Sequence, residues 1–163
     1  IVYSIRYLSG GKIQYDLKAE QYAITGMVFG IAGLITGMIW ARFTWGAFWV
    51  NDTKLNGAAA AMLMYAAYFI LRQSTEDETK RAKLSAVYLV FAFPLMMAFI
   101  YILPRMTDSL HPGNGGNPAF GQYDLDNQMR LVFYPAIMGW TLLGVWITSI
   151  RIRIKKLWNS HEN

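Results

Sequence analysis

The sequence predicts an all-α fold: a polytopic transmembrane helix bundle with four full spans and the end of a fifth. Three observations lead there. The 163 residues are 55% hydrophobic and only 15% charged, more apolar and less charged than ordinary soluble domains. The charges cluster between long apolar runs instead of recurring along every helix. Lys and Arg also divide unequally between the alternating sides of those runs, as the positive-inside bias requires.

A membrane-crossing helix needs about 20 mostly apolar residues, with about 17 as a lower bound. The runs that meet this are "YAITGMVFGIAGLITGMIWA" (22–41), "LNGAAAAMLMYAAYFIL" (55–71), "LSAVYLVFAFPLMMAFIYIL" (84–103) and "LVFYPAIMGWTLLGVWITSI" (131–150). The opening "IVYSIRYL" (1–8) reads as the end of a further span, so the chain is expected to be an N-terminally shortened piece. Residues 1–163 are read as a single membrane domain, with outer loops at 42–54 and 104–130. Pro94 and Pro135 fall inside two of the runs. Neighbouring helices can satisfy the carbonyls a proline frees, so kinks are expected there and not helix ends.

Grouping the connections by alternating sides gives the orientation. Arg6, Lys12, Lys18, Arg72, Lys80, Arg81, Lys83, Arg151, Arg153, Lys155 and Lys156 share one side, and Arg42, Lys54, Arg105 and Arg130 the other. The richer side is expected to be cytoplasmic. The net charge of +5 is then a topology signal. No basic stripe interleaved with exposed aromatics appears, which argues against a nucleic-acid partner. Cysteine is absent, which excludes disulfides, thiolate metal sites and thiol catalysis. Only His111 and His161 are present, too few for a histidine-built metal cluster, and His161 lies in the basic tail.

Several stretches have a plain structural reading. Gly26, Gly30, Gly33 and Gly37 lie at helical spacing on one face, where small residues let helix backbones approach in lipid. "RQSTEDETKRAK" (72–83) reads as a solvated inner loop. "HPGNGGNP" (111–118) is a short flexible patch without the lysine of a phosphate loop. "YDLDNQ" (123–128) lacks the ligands of a calcium loop.

"WGAFWVNDTKLN" (45–56) is different. It is too short and polar to cross a bilayer, yet it carries Trp45, Phe48 and Trp49. On helical spacing these rings and Asp52 share a face. An interfacial aromatic belt accounts for them; so does a platform for a large planar ligand, held by stacking. Asp52 is also placed to cap the following span. Arg42, Lys54, Arg105 and Arg130 read either as snorkelling anchors or as partners for a ligand's carboxylates.

This stretch resembles the tryptophan-rich WWD signature of the haem-handling proteins of cytochrome c assembly, and most of all their smaller CcmC branch. Trp45, Gly46, Trp49, Asp52, Lys54 and Leu55 match the signature; Phe48 and Asn51 stand where many members carry Trp. "LITGMIWARFTWG" before it and "SLHPG" in the long outer loop are similar to the family's Thr-Gly-Trp and Leu-His-x-Gly stretches. The likeness runs from about residue 20 to the basic tail.

The resemblance implies a bacterial inner-membrane protein with the WWD loop on the periplasmic side. It would hold haem b there and deliver it to a periplasmic haem chaperone during c-type cytochrome maturation, with no covalent chemistry of its own. Expected partners are that chaperone, a small single-span membrane protein, an ATP-driven transporter and membrane lipid. The implied haem-binding residues are Trp45, Gly46, Phe48, Trp49, Asp52, His111, Arg105 and Arg130. A pair of outward-facing histidines holds the iron in the family; the upstream one would precede Ile1, and His111 is the downstream candidate. Many members place that ligand nearer the outer end of the preceding span, where this chain has "IYILPR", which makes Tyr101 the alternative. Two other functions stay open: a haem lyase or cytochrome c synthetase subunit of the same superfamily, and a non-haem bundle whose rings are interfacial anchors.

Overall fold

The computed structural model describes residues 1–107, 109–111 and 125–161. Among them the elements are all helical: α1 (Val2–Gly10), α2 (Ile13–Trp45), α3 (Thr53–Gln73), α4 (Glu78–Met97), α5 (Leu103–Met106) and α6 (Asn127–His161). A wide π-type turn, Ala98–Ile102, joins α4 to α5. Four helices are long and apolar enough to cross a membrane: α2, α3, α4 with its continuation to Met106, and α6. The short α1 stands where the end of a fifth span was expected.

The helix ends differ from the apolar runs. α2 begins at Ile13 and carries Asp16, Lys18, Glu20 and Gln21 before its apolar stretch; α6 runs on past Ile150 to His161. Apolarity marks only the lipid-crossing portion of a helix, and at about 1.5 Å per residue both helices outreach the bilayer core. The ends follow local chemistry instead. Gly46 closes α2 at φ 82°, a conformation glycine adopts without a Cβ penalty. Asp52 caps α3, Asp77 caps α4 through the Lys80 amide, and Asp126 caps the first turn of α6 through the Met129 amide, each satisfying an orphan N–H. α4 and α6 continue through Pro94 and Pro135. The π-type turn lies just before Pro104, whose ring would clash with the carbonyl four residues back in a regular helix.

α2 is the central element, packed on α1, α3, α4 and α6, and α3 and α1 also pack on α4. The seams are lined by small buried residues, Ala19, Ala41, Ala61, Ala82, Ala86 and Ala92, around Tyr68 and Leu89. Large apolar side chains point outward, Leu131 being 77% exposed and Leu63 71%. Lipid tails are as apolar as leucine, so a bundle in lipid gains from close backbone approach and not from hiding leucines.

Among the described residues the glycine stripe of α2 does not form the close seam expected. A Cβ at Gly26, Gly33 or Gly37 would meet nothing within 4 Å; only Gly30 is crowded, by the flexible end of Met62. Close backbone approach occurs at Gly57 of α3, where a Cβ would run into the Phe99 carbonyl of the π-type turn. Equal spacing puts the four glycines on one face, but among the described residues no helix packs closely along it.

The stretch that starts at Arg72 also departs from its solvated reading at its first residue. Arg72 is buried; its guanidinium donates to both oxygens of Asp16, at 2.8 and 2.7 Å, and to Oε1 of Glu20 at 2.8 Å. Glu20 in turn accepts from Gln21, whose Oε1 accepts from Arg151 at 3.1 Å. α2, α3 and α6 are thus joined at the end of the bundle that carries most of the basic residues.

Candidate functional site

At the opposite end, the C-terminus of α2, the start of α3, α5 and the segment beyond it come together. Trp45 is the last residue of α2, and Gly46 in the left-handed region turns the chain out of the helix. Residues 46–52 are therefore the loop, and Trp45 does not share a helix face with Phe48 and Trp49. An Arg42 N–H donates to the Gly46 carbonyl, and the guanidinium lies 5.9 Å from the Phe48 ring centroid. The Trp49 indole donates to Asn56 at 3.2 Å, and the Asn56 amide donates to Asn51 at 2.8 Å. Asn51 thus braces the loop. Phe48 and Trp49 remain 55% and 41% exposed, an aromatic surface held outward.

Asp52 is the hub. Its Oδ1 accepts the Lys54 and Leu55 amides at 2.9 and 3.3 Å, which caps α3. Its Oδ2 accepts the Ser109 hydroxyl and the Leu110 amide, both at 2.7 Å. Burial pushes the Asp52 carboxyl up, but these bonds from Ser109, Leu110, Leu55 and Lys54 outweigh it and hold the carboxyl below the ordinary carboxylate range. Oδ1 also lies 2.9 Å from Nδ1 of His111. An ionised carboxylate can only accept, so Nδ1 carries a proton, and in the neutral tautomer of the ring that leaves the lone pair on Nε2.

The His111 ring sits in the angle of two indoles. Trp45 meets it edge-on at 4.7 Å between centroids, Trp40 lies at 6.1 Å, and the indoles meet each other edge-on at 4.9 Å. The segment that brings His111 here is pinned twice more: Thr107 donates to the Thr53 hydroxyl at 3.0 Å, and the His111 amide donates to Ser109 Oγ at 3.1 Å. The remainder of the glycine-rich patch, 112–118, and the first residues of the 123–128 stretch lie outside the described residues.

The other expected residues stand elsewhere. Tyr101, in the π-type turn, is covered by Arg105, whose guanidinium carbon is 3.7 Å from the ring centroid. Arg130 lies in the first turns of α6, and its Nε is buried without a hydrogen-bond partner among the described residues. None of these side chains is among the described partners of His111. Two residues that do touch it, Trp40 and Ser109, were not picked out as site residues. Trp40 had a signal, since it lies one and a half turns before Trp45 in the same helix. Ser109 had none beyond its nearness to His111.

Fold and site together define a multi-pass membrane protein with an aromatic site at one end, built around a carboxylate-tethered histidine. The model of the CcmC family, heme exporter protein C, matches residues 10–162, and the chain belongs to that family. It is 25% identical over 138 residues to "Heme exporter protein C" of Escherichia coli (strain K12), covering 85% of this chain and 54% of the relative. To the protein of the same name from Paracoccus denitrificans it is 28% identical over 137 residues, covering 84% and 56%. A shorter likeness, 37% over 73 residues, links it to "Cytochrome c biogenesis protein CcsA" of Prochlorococcus marinus, covering 45% of this chain and 23% of that one. The chain spans about half the length of the heme exporter relatives it matches.

Proposed function

We propose that this chain holds haem b at the periplasmic face of the bacterial inner membrane and yields it to a periplasmic haem chaperone during c-type cytochrome maturation. The observation that carries this is the His111 ring, tethered through Nδ1 to Asp52 and set between Trp40 and Trp45. Haem needs a neutral imidazole nitrogen for its iron and an apolar surface for its ring. Nε2 of His111 supplies the first; Trp45, Phe48 and Trp49 supply the second. A histidine ligand whose other ring nitrogen is held by a carboxylate is the usual second-sphere arrangement at metal sites. Arg105 and Arg130 are assigned to the haem propionates, which guanidinium pairs with well. Bound haem supplies an exchangeable iron coordination site; the residues hold and orient it, and the chaperone displaces the histidine without any covalent step. A small single-span protein and an ATP-driven transporter complete the assembly, in membrane lipid.

The absorption spectrum of the purified protein tests this, with His111→Ala and a Trp45→Ala/Trp49→Ala variant beside it. A Soret band that shifts or weakens in His111→Ala, and falls in the double variant, is expected. A band that survives His111→Ala unchanged moves the iron ligand elsewhere, with Tyr101 next. No band in any of them after haem addition leaves the rings as interfacial anchors.

A further inference from the structure

The basic end of the bundle carries a space that haem binding at the other end does not use. One cavity of about 570 Å³ is lined by Asp16 and Glu20 of α2, Arg72 of α3, Arg81 of α4, and Lys155 and Lys156 of α6, with Glu78 at the start of α4. A second, about 440 Å³, shares Glu20 and Lys155 with it and continues along Ile24, Arg151, Ile154 and Trp158. Two of the three carboxylates of the first, Asp16 and Glu20, are not available to a cation. Both oxygens of Asp16 and one of Glu20 are taken by Arg72, and the other Glu20 oxygen accepts from Gln21. Arg81, Lys155 and Lys156 make no ion pair among the described residues. The combined lining thus holds five cations against three carboxylates, of which Asp16 and Glu20 are neutralised by Arg72.

We propose that these adjoining cavities bind an anionic phospholipid of the cytoplasmic leaflet. The phosphate sits among Arg81, Lys155 and Lys156, with Trp158 beside the headgroup, and an acyl chain runs from it along Ile154 and Ile24 toward the bilayer. A basic pocket between membrane helices on the cytoplasmic side is the known recognition chemistry for such headgroups. Three cations from two helices, α4 and α6, converge on it, so the lipid bridges elements that among the described residues meet only through α2. The apolar continuation favours a lipid over a free phosphate. The excess positive charge disfavours the ammonium of a zwitterionic lipid.

The test is quenching of Trp158 by brominated-acyl phosphatidylglycerol against equally brominated phosphatidylcholine, in mixed micelles with the purified protein. The Trp158 signal is taken as the difference from Trp158→Phe. Selective quenching by the glycerol lipid is expected. Lys155→Gln/Lys156→Gln should raise the lipid needed for half-quenching about thirtyfold, since each of the two cations near a headgroup contributes about 1 kcal/mol. Arg81→Gln, on a different helix, should act in the same direction and keeps the test valid if the double variant folds poorly. Arg153→Gln, on the same helix but outside both cavities, should change little. Equal quenching by both lipids, or an equal loss in Arg153→Gln, would overturn the proposal in favour of diffuse surface charge. Relief of quenching by inorganic phosphate, at matched ionic strength, would overturn the lipid as its occupant and leave a free-anion site.

Discussion

Asp52 does two jobs with one carboxylate, and substitution separates them. It caps α3 through the Lys54 and Leu55 amides and tethers the 109–111 segment through Ser109, Leu110 and His111. Asparagine caps as well as aspartate does, but its amide nitrogen would face donors and its neutral oxygen holds an imidazole N–H weakly. Asp52→Asn is therefore expected to leave the thermal unfolding of the helices within about 1 kcal/mol of the parent. Haem retention should drop about tenfold or more, as when a metal ligand loses its outer partner. Asp52→Ala should lose the cap in addition. The pH dependence follows from the lowered carboxyl. A folded-state value below the unfolded one gives stabilisation that is complete above the unfolded value of about 3.9 and is lost as pH falls through the lower folded value. The Asp52 carboxylate should thus hold its bonds down through the ordinary carboxylate range and release them only as pH falls below it; Trp45 fluorescence, reporting the ring contact with His111, would follow that loss. A carboxylate that releases the Ser109 and Leu110 donors at a pH above the ordinary carboxylate range would sink this assignment.

At the scale of elements, the contact between α3 and the π-type turn sets where α5 and the histidine segment sit. Gly57 is its tight point, facing the Phe99 carbonyl. Gly57→Ala should cost about 1–3 kcal/mol by overpacking and loosen haem retention with it. Gly33→Ala, with open space around it, should stay within about 0.5 kcal/mol of the parent; thermal unfolding in detergent compares them. The contrast shows what was legible in the sequence. The four spans were, because apolar length is a local property. So was Asp52 as a cap, because capping acts over three residues. The stripe of Gly26, Gly30, Gly33 and Gly37 suggested a seam by its regularity, while Gly57, alone in "LNGAAAA", carried no pattern and makes the seam. The tie between Asp52 and His111 spans 59 positions and depends on hydroxyls of Thr107 and Ser109 docking a loop, for which no periodicity exists. The resemblance to the WWD family pointed to both residues but not to the bond between them.

For the whole molecule, the buried network of Arg72, Asp16, Glu20, Gln21 and Arg151 is what couples three of the membrane helices at the basic end. Its charges cancel, two carboxylates against two guanidinium groups, so no net charge is held there. Removing one member leaves the others uncompensated. Arg72→Met should therefore destabilise the fold by about 3–5 kcal/mol, the usual cost of orphaning a buried charge. The apolar triple variant Asp16→Leu/Glu20→Leu/Arg72→Met should recover most of that loss, because desolvating a buried pair consumes nearly all that its attraction returns. Denaturant unfolding of the three proteins in detergent gives both numbers. The proposed haem site lies at the other end of the bundle, so the Soret absorbance per folded molecule should be unchanged in all three. A small effect of Arg72→Met alone would return this end to the solvated loop the local sequence suggested. A loss of haem that tracks the network and not the folded fraction would show that the two ends move together, which helices α2 and α3, running from the Arg72 network to Trp45 and Asp52, are placed to transmit.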